Sequence, residues 1–211
     1  MSEKIHIQLN AIGKQFYQRW IFRRISHDFS VAPHLALVGT NGSGKSTLLR
    51  IIAGQLAPTE GNVQVFRGSQ RIPLDQLYRS ISWAAPYIDA YEDLNLEELF
   101  SLYFQLKTCL LPSQEAVIRT LNLWEDRTKP LKFYSSGMLQ RAKVGMALFT
   151  KSDVLLLDEP TANMDDANAN RMLGLIDEYA AGRMLVLASN MTREFARFDH
   201  VIRLAGGKLP V

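Results

Sequence analysis

The amino-acid sequence predicts an α/β fold with a mostly parallel sheet, and three observations lead to this class. Unbroken apolar runs at residues 35–38, 154–157 and 184–188 are typical of strands buried on both faces. Stretches with apolar residues at helical spacing lie between such runs, as expected where helices connect parallel strands. A further stretch, about 91–135, shows helical patterns only, so we expect an α-helical insert between two α/β halves.

Composition indicates one globular domain over residues 1–211. Of the 211 residues, 47% are hydrophobic and 21% are charged, which is sufficient for a sizeable core. Within this domain we expect residues 1–90 and 136–211 to form the α/β core. No apolar run approaches the roughly 20 residues of a membrane-spanning helix, and the N-terminus lacks the apolar segment of a signal peptide.

Charge and cysteine content exclude some classes of protein. The formal net charge is +3 and the basic residues are scattered, so we expect no nucleic-acid partner. The single cysteine, Cys109, cannot form an internal disulfide bond, and this is typical of a reducing compartment.

Two strands are predicted near the N-terminus, at residues 5–12 and 25–31, and the segment 16–22 between them is dense in aromatic residues. Aromatic side chains bury large areas, so packing at the edge of a sheet is the interpretation that chemistry alone favours. The other interpretation is a platform on which an adenine ring stacks. Both stay open on these residues.

A glycine-rich turn follows the apolar run 35–38 and precedes a helical pattern at 48–53. The turn fits the pattern G-x-x-x-x-G-K-[ST], whose backbone N–H groups and helix start together bind phosphate. An ordinary turn would rarely combine four fixed positions with the correct flanks, so we expect a nucleoside triphosphate site. Its residues are Gly39, Thr40, Asn41, Gly42, Ser43, Gly44, Lys45, Ser46 and Thr47.

Two side chains of this turn carry the expected chemistry. Lys45 is expected to reach the β- and γ-phosphates, and the Ser46 hydroxyl to ligate Mg²⁺. A second candidate anion site is the helix start at Ser135, Ser136 and Gly137, which by itself is more often a simple helix cap. The helix that it opens is expected to run through residue 148, with an apolar side formed by Leu139, Ala142, Met146 and Phe149.

The apolar run 154–157 ends in two carboxylates, Asp158 and Glu159. Open α/β sheets bind ligands at the carboxyl ends of their strands. Asp158 can therefore serve Mg²⁺ through a bound water, and Glu159 can orient or deprotonate the attacking water. A solvated strand end is the alternative, but a triphosphate site needs a metal carboxylate at such a position.

Further elements complete the pattern. Strands are predicted at 62–66 and 80–84, helices at 94–107 and 113–122, and a polar turn at 161–165. The C-terminal part is expected to contain a helix from about Asp166 to Gly182, the strand 184–188, a short helix at 192–197 and a closing strand at 200–204.

In order and spacing, these segments resemble the ATP-binding cassette of ABC transporters over nearly the whole chain. Residues 39–47 match the Walker A motif, 154–159 the Walker B motif with its glutamate, 134–138 the place of the LSGGQ signature, and 162–165 the D-loop. The resemblance implies a P-loop NTPase (RecA-like) core, an N-terminal antiparallel β subdomain and an α-helical insert subdomain. Phe16 falls at the position of the family's adenine-stacking aromatic residue.

The resemblance also implies a mechanism and partners. The expected cofactors are ATP and Mg²⁺, held between Walker A of one subunit and the signature of a second ABC ATPase subunit, most simply in a homodimer. Ser135, Ser136 and Gly137 would face the γ-phosphate across that interface, and Asp165 would close the D-loop. An integral membrane transporter subunit would use the motion, which places the chain in the cytoplasm, peripheral on the cytoplasmic face of the cell membrane.

The sequence departs from the family at three places. By our alignment Pro86 stands where the Q-loop has glutamine, and Asn190 stands where the family has its switch histidine. The signature has Ser136 for glycine and Met138 for glutamine. An asparagine at 190 can donate a hydrogen bond to phosphate but cannot become a cation. Because Glu159 is present, we expect hydrolysis to persist at a reduced rate.

Other functions remain possible on the sequence alone. An ATP-dependent switch or regulatory ABC protein with little hydrolysis is favoured by Pro86 and Asn190 and opposed by Glu159. Tyr87, Ile88 and Tyr91 are either docking residues for the membrane partner or packing residues of the insert. No residue indicates the transported substrate or its direction.

Overall fold

The structure is a computed structural model and describes residues 5–85 and 92–205. Its strands are β1 (Ile5–Phe16), β2 (Arg19–Asp28), β3 (His34–Val38), β4 (Glu60–Arg67), β5 (Gln70–Ile72), β6 (Ile81–Ala84), β7 (Val154–Asp158), β8 (Met184–Ser189) and β9 (Val201–Arg203). Its helices are α1 (Lys45–Ile52), α2 (Leu96–Leu106), α3 (Gln114–Thr120), α4 (Ser136–Leu148), α5 (Asp166–Tyr179) and α6 (Thr192–Phe195). The predicted α/β class is confirmed.

An antiparallel sheet with the strand order β2-β1-β4-β5 is built from the N-terminal part of the chain. The predicted strand bounds 5–12 and 25–31 need a correction here, because the aromatic segment 16–22 belongs largely to the two strands themselves. Strand β1 continues to Phe16 and pairs there with Arg19 of β2, so the turn is confined to Tyr17 and Gln18. Tyr17 has φ +52° and is fully exposed at the tip of this hairpin.

The second sheet has the strand order β6-β7-β8-β3-β9, in which the pairs β7–β8, β8–β3 and β3–β9 are parallel. Strands β3, β7 and β8 are almost completely buried apolar runs, which explains why the sequence shows no alternation there. The register pairs Val38 with Ser189 and Asp158 with Ala188, so the carboxyl ends of β3, β7 and β8 lie at one edge.

The chain divides into two compact units. The first comprises Met1–Ile81, Ser152–Asp158 and Arg183–Val211, and it contains the antiparallel sheet, α1 and most of the parallel sheet. The second comprises Ser82–Lys151 and Glu159–Gly182 and contains α2 to α5. The second unit therefore extends beyond residues 91–135. The limits of a separate helical insert at 91–135 remain a prediction.

Two helices of the second unit begin where the sequence places strong N-caps. Asn95 caps α2 by accepting a hydrogen bond from Glu98 N, and the Glu98 carboxylate accepts one from Asn95 N, both at 2.9 Å. Ser113 caps α3 as predicted, accepting from Ala116 N at 3.2 Å. Across the described ranges, no helix combines the length and apolar character that a bilayer span requires.

Candidate functional site

The glycine-rich loop, residues 39–47, connects β3 to α1 at the carboxyl edge of the parallel sheet. Gly44 is the cap of α1 and has φ +104°, a conformation that L side chains rarely adopt. A Cβ placed there would also collide with Ile21 Cγ2 and lie 3.0 Å from Phe22 Cδ1. Backbone conformation and close packing against β2 therefore both require glycine at this position.

Lys45 opens helix α1 and is only 5% exposed. Its Nζ donates to the carbonyl oxygens of Gly39 at 2.9 Å and Thr40 at 3.3 Å, so the ammonium lies within the curve of its own loop. The Ser43 hydroxyl is buried there and makes no hydrogen bond to any of the residues that the structure describes. A cation and an unsatisfied hydroxyl in one small loop fit a group rich in acceptor oxygens, such as a phosphate.

The acidic side of the site lies at the end of β7, in the same structural unit as the loop. Asp158 is 2% exposed, and the register places it at the level of the last residues of β3 and β8. Ser46, the second residue of α1, is half-buried. These are the two side chains that sequence analysis assigned to the metal.

Glu159 follows Asp158 directly and has φ +48°. Left-handed conformations of this kind cost a non-glycine residue roughly 1–3 kcal/mol and cluster at functional sites. The Glu159 side chain is half-exposed, in contrast to the buried carboxylate before it. Sequence analysis predicted two carboxylates with different roles here, and the structure gives them different environments.

Asn190, immediately after β8, lies beside the glycine-rich loop. Its Nδ2 donates to Asn41 Oδ1 at 3.1 Å, and both residues are exposed. This hydrogen bond to the loop supports the prediction that Asn190 lies next to the phosphate site. The same contact identifies Asn41 as the loop residue that faces it.

Phe16 lies at the hairpin end of β1 and is 42% exposed. The Nζ atom of Lys14 lies 5.1 Å from the centre of its ring. Ile21 and Phe22 of β2 lie close to the position that a Cβ on Gly44 would occupy. The hairpin of β1 and β2 therefore packs against the glycine-rich loop. An exposed ring on that hairpin is available for stacking, but its part in binding adenine remains a prediction.

The segment 134–138 lies in the second unit and includes the start of α4. Ser135 caps this helix by accepting a hydrogen bond from Met138 N at 3.2 Å, and Ser135 and Ser136 are both exposed. A Cβ placed at Gly137 would lie 2.6 Å from the carbonyl oxygen of Asn163, in the D-loop. The two motifs therefore touch within one chain, and glycine at 137 permits the approach.

Asp165 ends the D-loop and caps α5. Its Oδ1 accepts from Asn168 N at 2.8 Å and its Oδ2 from Asn168 Nδ2 at 2.7 Å. These hydrogen bonds from Asn168 lower the pKa of the Asp165 carboxyl below its ordinary value. The carboxylate is thus held in its charged form at the start of a helix, where negative charge is favourable.

The buried face of α4 matches the prediction in part, since Ala142 and Phe149 are buried as expected. Leu139 and Met146, expected on the apolar side, are only half-buried, whereas Gln140 is 5% exposed. Gln140 Nε2 donates to the carbonyl oxygen of Glu159 at 3.0 Å. Sequence analysis missed this residue because a glutamine in a helix is usually solvated. The available signal was its spacing from the buried residues Val144 and Ala147.

Several predicted positions lie outside the described residues. They are Pro86, the expected Q-loop position, and the docking candidates Tyr87, Ile88 and Tyr91. Their assignments remain predictions.

A family model described as ABC transporter matches residues 22–162. The chain is 26% identical over 213 residues to ATP-binding cassette sub-family A member 17 of Mus musculus, covering 96% of this chain and 12% of that protein. It is 28% identical over 192 residues to the human phospholipid-transporting ATPase ABCA7, covering 89% of this chain and 9% of that protein. The chain thus spans about a tenth of the length of these curated relatives.

Among solved structures, the fold resembles a dimeric ATP-binding cassette in a post-hydrolysis state bound to ADP and Pi. The TM-score is 0.80 at 19% identity, and the match covers 95% of each chain. At this identity the likeness concerns the fold alone. The family model matches two thirds of the sequence, and this match identifies the family. The chain belongs to the ABC transporter family, as one of its ATPase cassettes.

Proposed function

We propose that this chain binds Mg·ATP at the glycine-rich loop and hydrolyses it to drive a membrane transporter. The observation that carries this proposal is the placement of Lys45 within the loop, beside the buried and unsatisfied Ser43 hydroxyl. The shared edge of β3, β7 and β8 adds a buried carboxylate, Asp158, and a polar donor, Asn190. Positive charge, metal carboxylate and phosphate-facing backbone are the parts that phosphoryl transfer needs.

Each side chain has a role that follows from its chemistry. Lys45 neutralises the β- and γ-phosphate oxygens. Ser46 and Asp158 would hold Mg²⁺, which would offset the negative charge of the phosphates. Glu159 orients the attacking water and accepts its proton. Asn190 donates a hydrogen bond to a γ-phosphate oxygen.

The site is completed by a second copy or a similar cassette. The exposed residues Ser135 and Ser136, together with Gly137, belong to a helix start, which favours negative charge. We assign them to the γ-phosphate bound by the opposite subunit, with Asp165 at the same interface. Hydrolysis removes the group that bridges both subunits, and the closed pair then opens.

The membrane partner is a separate part of this proposal. An integral membrane transporter subunit would couple its own opening to the closing of the cassettes at the cytoplasmic face of the membrane. The human relative ABCA7 is named a phospholipid-transporting ATPase, but we assign no residue of the described ranges to a lipid. The transported substrate belongs to that partner.

Trapping the closed pair tests the proposal. The variant Glu159→Gln should bind Mg·ATP, turn over at least about a hundredfold more slowly than the wild type, and elute as a dimer. The matched variant Glu178→Gln, at an exposed position on α5, should behave as the wild type. Lys45→Ala should bind no ATP and remain monomeric. A Glu159→Gln variant that stays monomeric with ATP, alone and with its partner, would overturn the two-subunit mechanism.

A regulatory ATP switch with little hydrolysis is the second candidate, and the asparagine at 190 favours it. Here the discriminating measurement is turnover. Equal and negligible rates in the wild type and in Glu159→Gln, with ATP binding intact, would support the switch and exclude the motor.

A further inference from the structure

A buried glutamine contacts the backbone of the glutamate to which we assign water activation. Gln140 lies on the inner face of α4, 5% exposed, and its side-chain amide is 3.0 Å from the carbonyl oxygen of Glu159. A carbonyl oxygen can only accept hydrogen bonds, so the amide must present its nitrogen to it. Gln140 therefore donates to Glu159, and the contact has a defined direction.

The same carbonyl oxygen has a second donor, Ala162 N, at 3.1 Å. This backbone hydrogen bond already satisfies the oxygen, which has two lone pairs but needs only one partner to avoid a penalty. Burying a side-chain amide is costly compared with burying an apolar residue of similar size, such as those beside it on α4. Simple satisfaction of the backbone therefore does not explain why a glutamine occupies this buried position.

The conformation of Glu159 provides the explanation. Its φ of +48° is a conformation that non-glycine residues leave readily unless neighbouring groups hold it. Two donors on one carbonyl fix the rotation of the peptide plane after Glu159. Together with φ, that rotation sets the direction in which the Glu159 side chain leaves the backbone.

We propose that Gln140 is a positioning residue for ATP hydrolysis: it holds the Glu159 backbone so that the carboxylate points at the attacking water. This proposal rests on the proposed function, in which Glu159 activates that water. Gln140 itself touches neither nucleotide nor water in this mechanism. Its loss therefore affects the chemical step and leaves nucleotide binding unchanged.

Two variants at position 140 test this proposal with the whole 211-residue chain. Gln140→Met keeps the volume and removes the donor. Gln140→Glu keeps the shape, but the introduced carboxylate cannot donate a hydrogen bond until it is protonated. Gln105→Met, at an exposed position on α2, is the matched control. We would measure kcat and KM for ATP, the Kd of a non-hydrolysable ATP analogue, and the melting temperature.

For Gln140→Met we expect kcat to fall by about tenfold to a hundredfold, with KM and Kd within about twofold of the wild type. For Gln140→Glu, the ratio of its kcat to that of the wild type should rise as the pH is lowered, because the protonated carboxyl can donate. The control should match the wild type in all four quantities. A general packing defect would instead weaken binding and would give no pH-dependent recovery.

Three results would overturn the proposal. The first is an unchanged kcat in Gln140→Met. The second is a parallel loss of analogue binding and kcat. The third is failure of both variants to fold. The second and third results would mean that Gln140 acts on structure alone. If the wild type itself shows no turnover, the proposed function fails first. Active wild type with an unaffected Gln140→Met contradicts only the role of Gln140.

Discussion

Gly137 and the carbonyl oxygen of Asn163 are so close that a Cβ on residue 137 would lie 2.6 Å from that oxygen. Asn163 has φ +61° and belongs to the D-loop, while Gly137 lies in the first turn of α4. The neighbouring Ser136 is exposed. The close approach of the Asn163 carbonyl oxygen explains why residue 137 is a glycine.

The first prediction concerns this contact. Gly137→Ala should lower the free energy of unfolding by roughly 1–3 kcal/mol, because a backbone oxygen cannot move aside as a flexible side chain can. Turnover should fall with it, since α4 and the D-loop would separate. Urea unfolding and steady-state ATPase rates measure both effects. Ser136→Ala is the control and should change stability by less than about 0.5 kcal/mol. A fully stable and active Gly137→Ala would show that the D-loop yields at no cost.

The second prediction concerns the exposed ring of Phe16. If adenine stacks on it, Phe16→Ala should remove about 0.5–1.5 kcal/mol of binding free energy, or roughly two- to tenfold in the Kd for ATP. The neighbouring Tyr17, fully exposed at the hairpin tip, provides the control, and Tyr17→Ala should leave the Kd unchanged. Fluorescence titration with an ATP analogue gives both constants. Equal effects of the two substitutions, or none, would remove Phe16 from the binding site.

The glycine-rich loop and the strand ends were predictable because local pattern and chemistry agree there. An apolar run, a turn that needs glycine and a helix start follow one another in the sequence. The local preference of each segment agrees with its conformation in the fold. The carboxyl end of β7 was predictable for the same reason, since its buried residues end abruptly in Asp158. Parallel pairing then brings the strand ends to one edge without further information.

The hairpin of β1 and β2 was less predictable. Residues 16–22 carry exposed and buried aromatic residues in one run, and strand pairing rather than local preference decides where the turn falls. The hydrogen bond of Gln140 was not predictable at all. It depends on the left-handed backbone conformation of Glu159, in which the carbonyl oxygen accepts a hydrogen bond from α4. No sequence pattern predicts that conformation.

The third prediction concerns pH and the half-buried His27. Its Nε2 lies 3.0 Å from the carbonyl oxygen of Ala32, and its ring lies 6.1 Å from that of His200. Burial lowers the pKa of His27 below its ordinary value of 6.5, and the nearby His200 acts in the same direction. Because the unfolded chain takes up this proton first, the contribution of His27 to stability is present above pH 6.5. It is lost as the pH falls through the lowered pKa.

Urea unfolding between about pH 8 and about pH 5 measures this loss. His27→Gln keeps a donor for the Ala32 carbonyl oxygen and removes the titration, so its unfolding free energy should fall less over the same range. Identical slopes in the wild type and His27→Gln would contradict the prediction.

The last prediction concerns Asn190, which the sequence analysis aligns with the family's switch histidine and which donates to Asn41 at 3.1 Å. Asn190→His would add a group that can carry positive charge next to the proposed γ-phosphate site, which the amide cannot do. We therefore expect kcat to rise by roughly threefold to tenfold, and to rise further from about pH 8 to about pH 6 as the imidazole is protonated. Steady-state ATPase assays across this range measure the effect. Asn190→Gln, which has the same amide and no titration, should show no such pH dependence. A kcat for Asn190→His at or below that of the wild type at every pH would mean that the Asn190–Asn41 pair is itself the arrangement that hydrolysis requires.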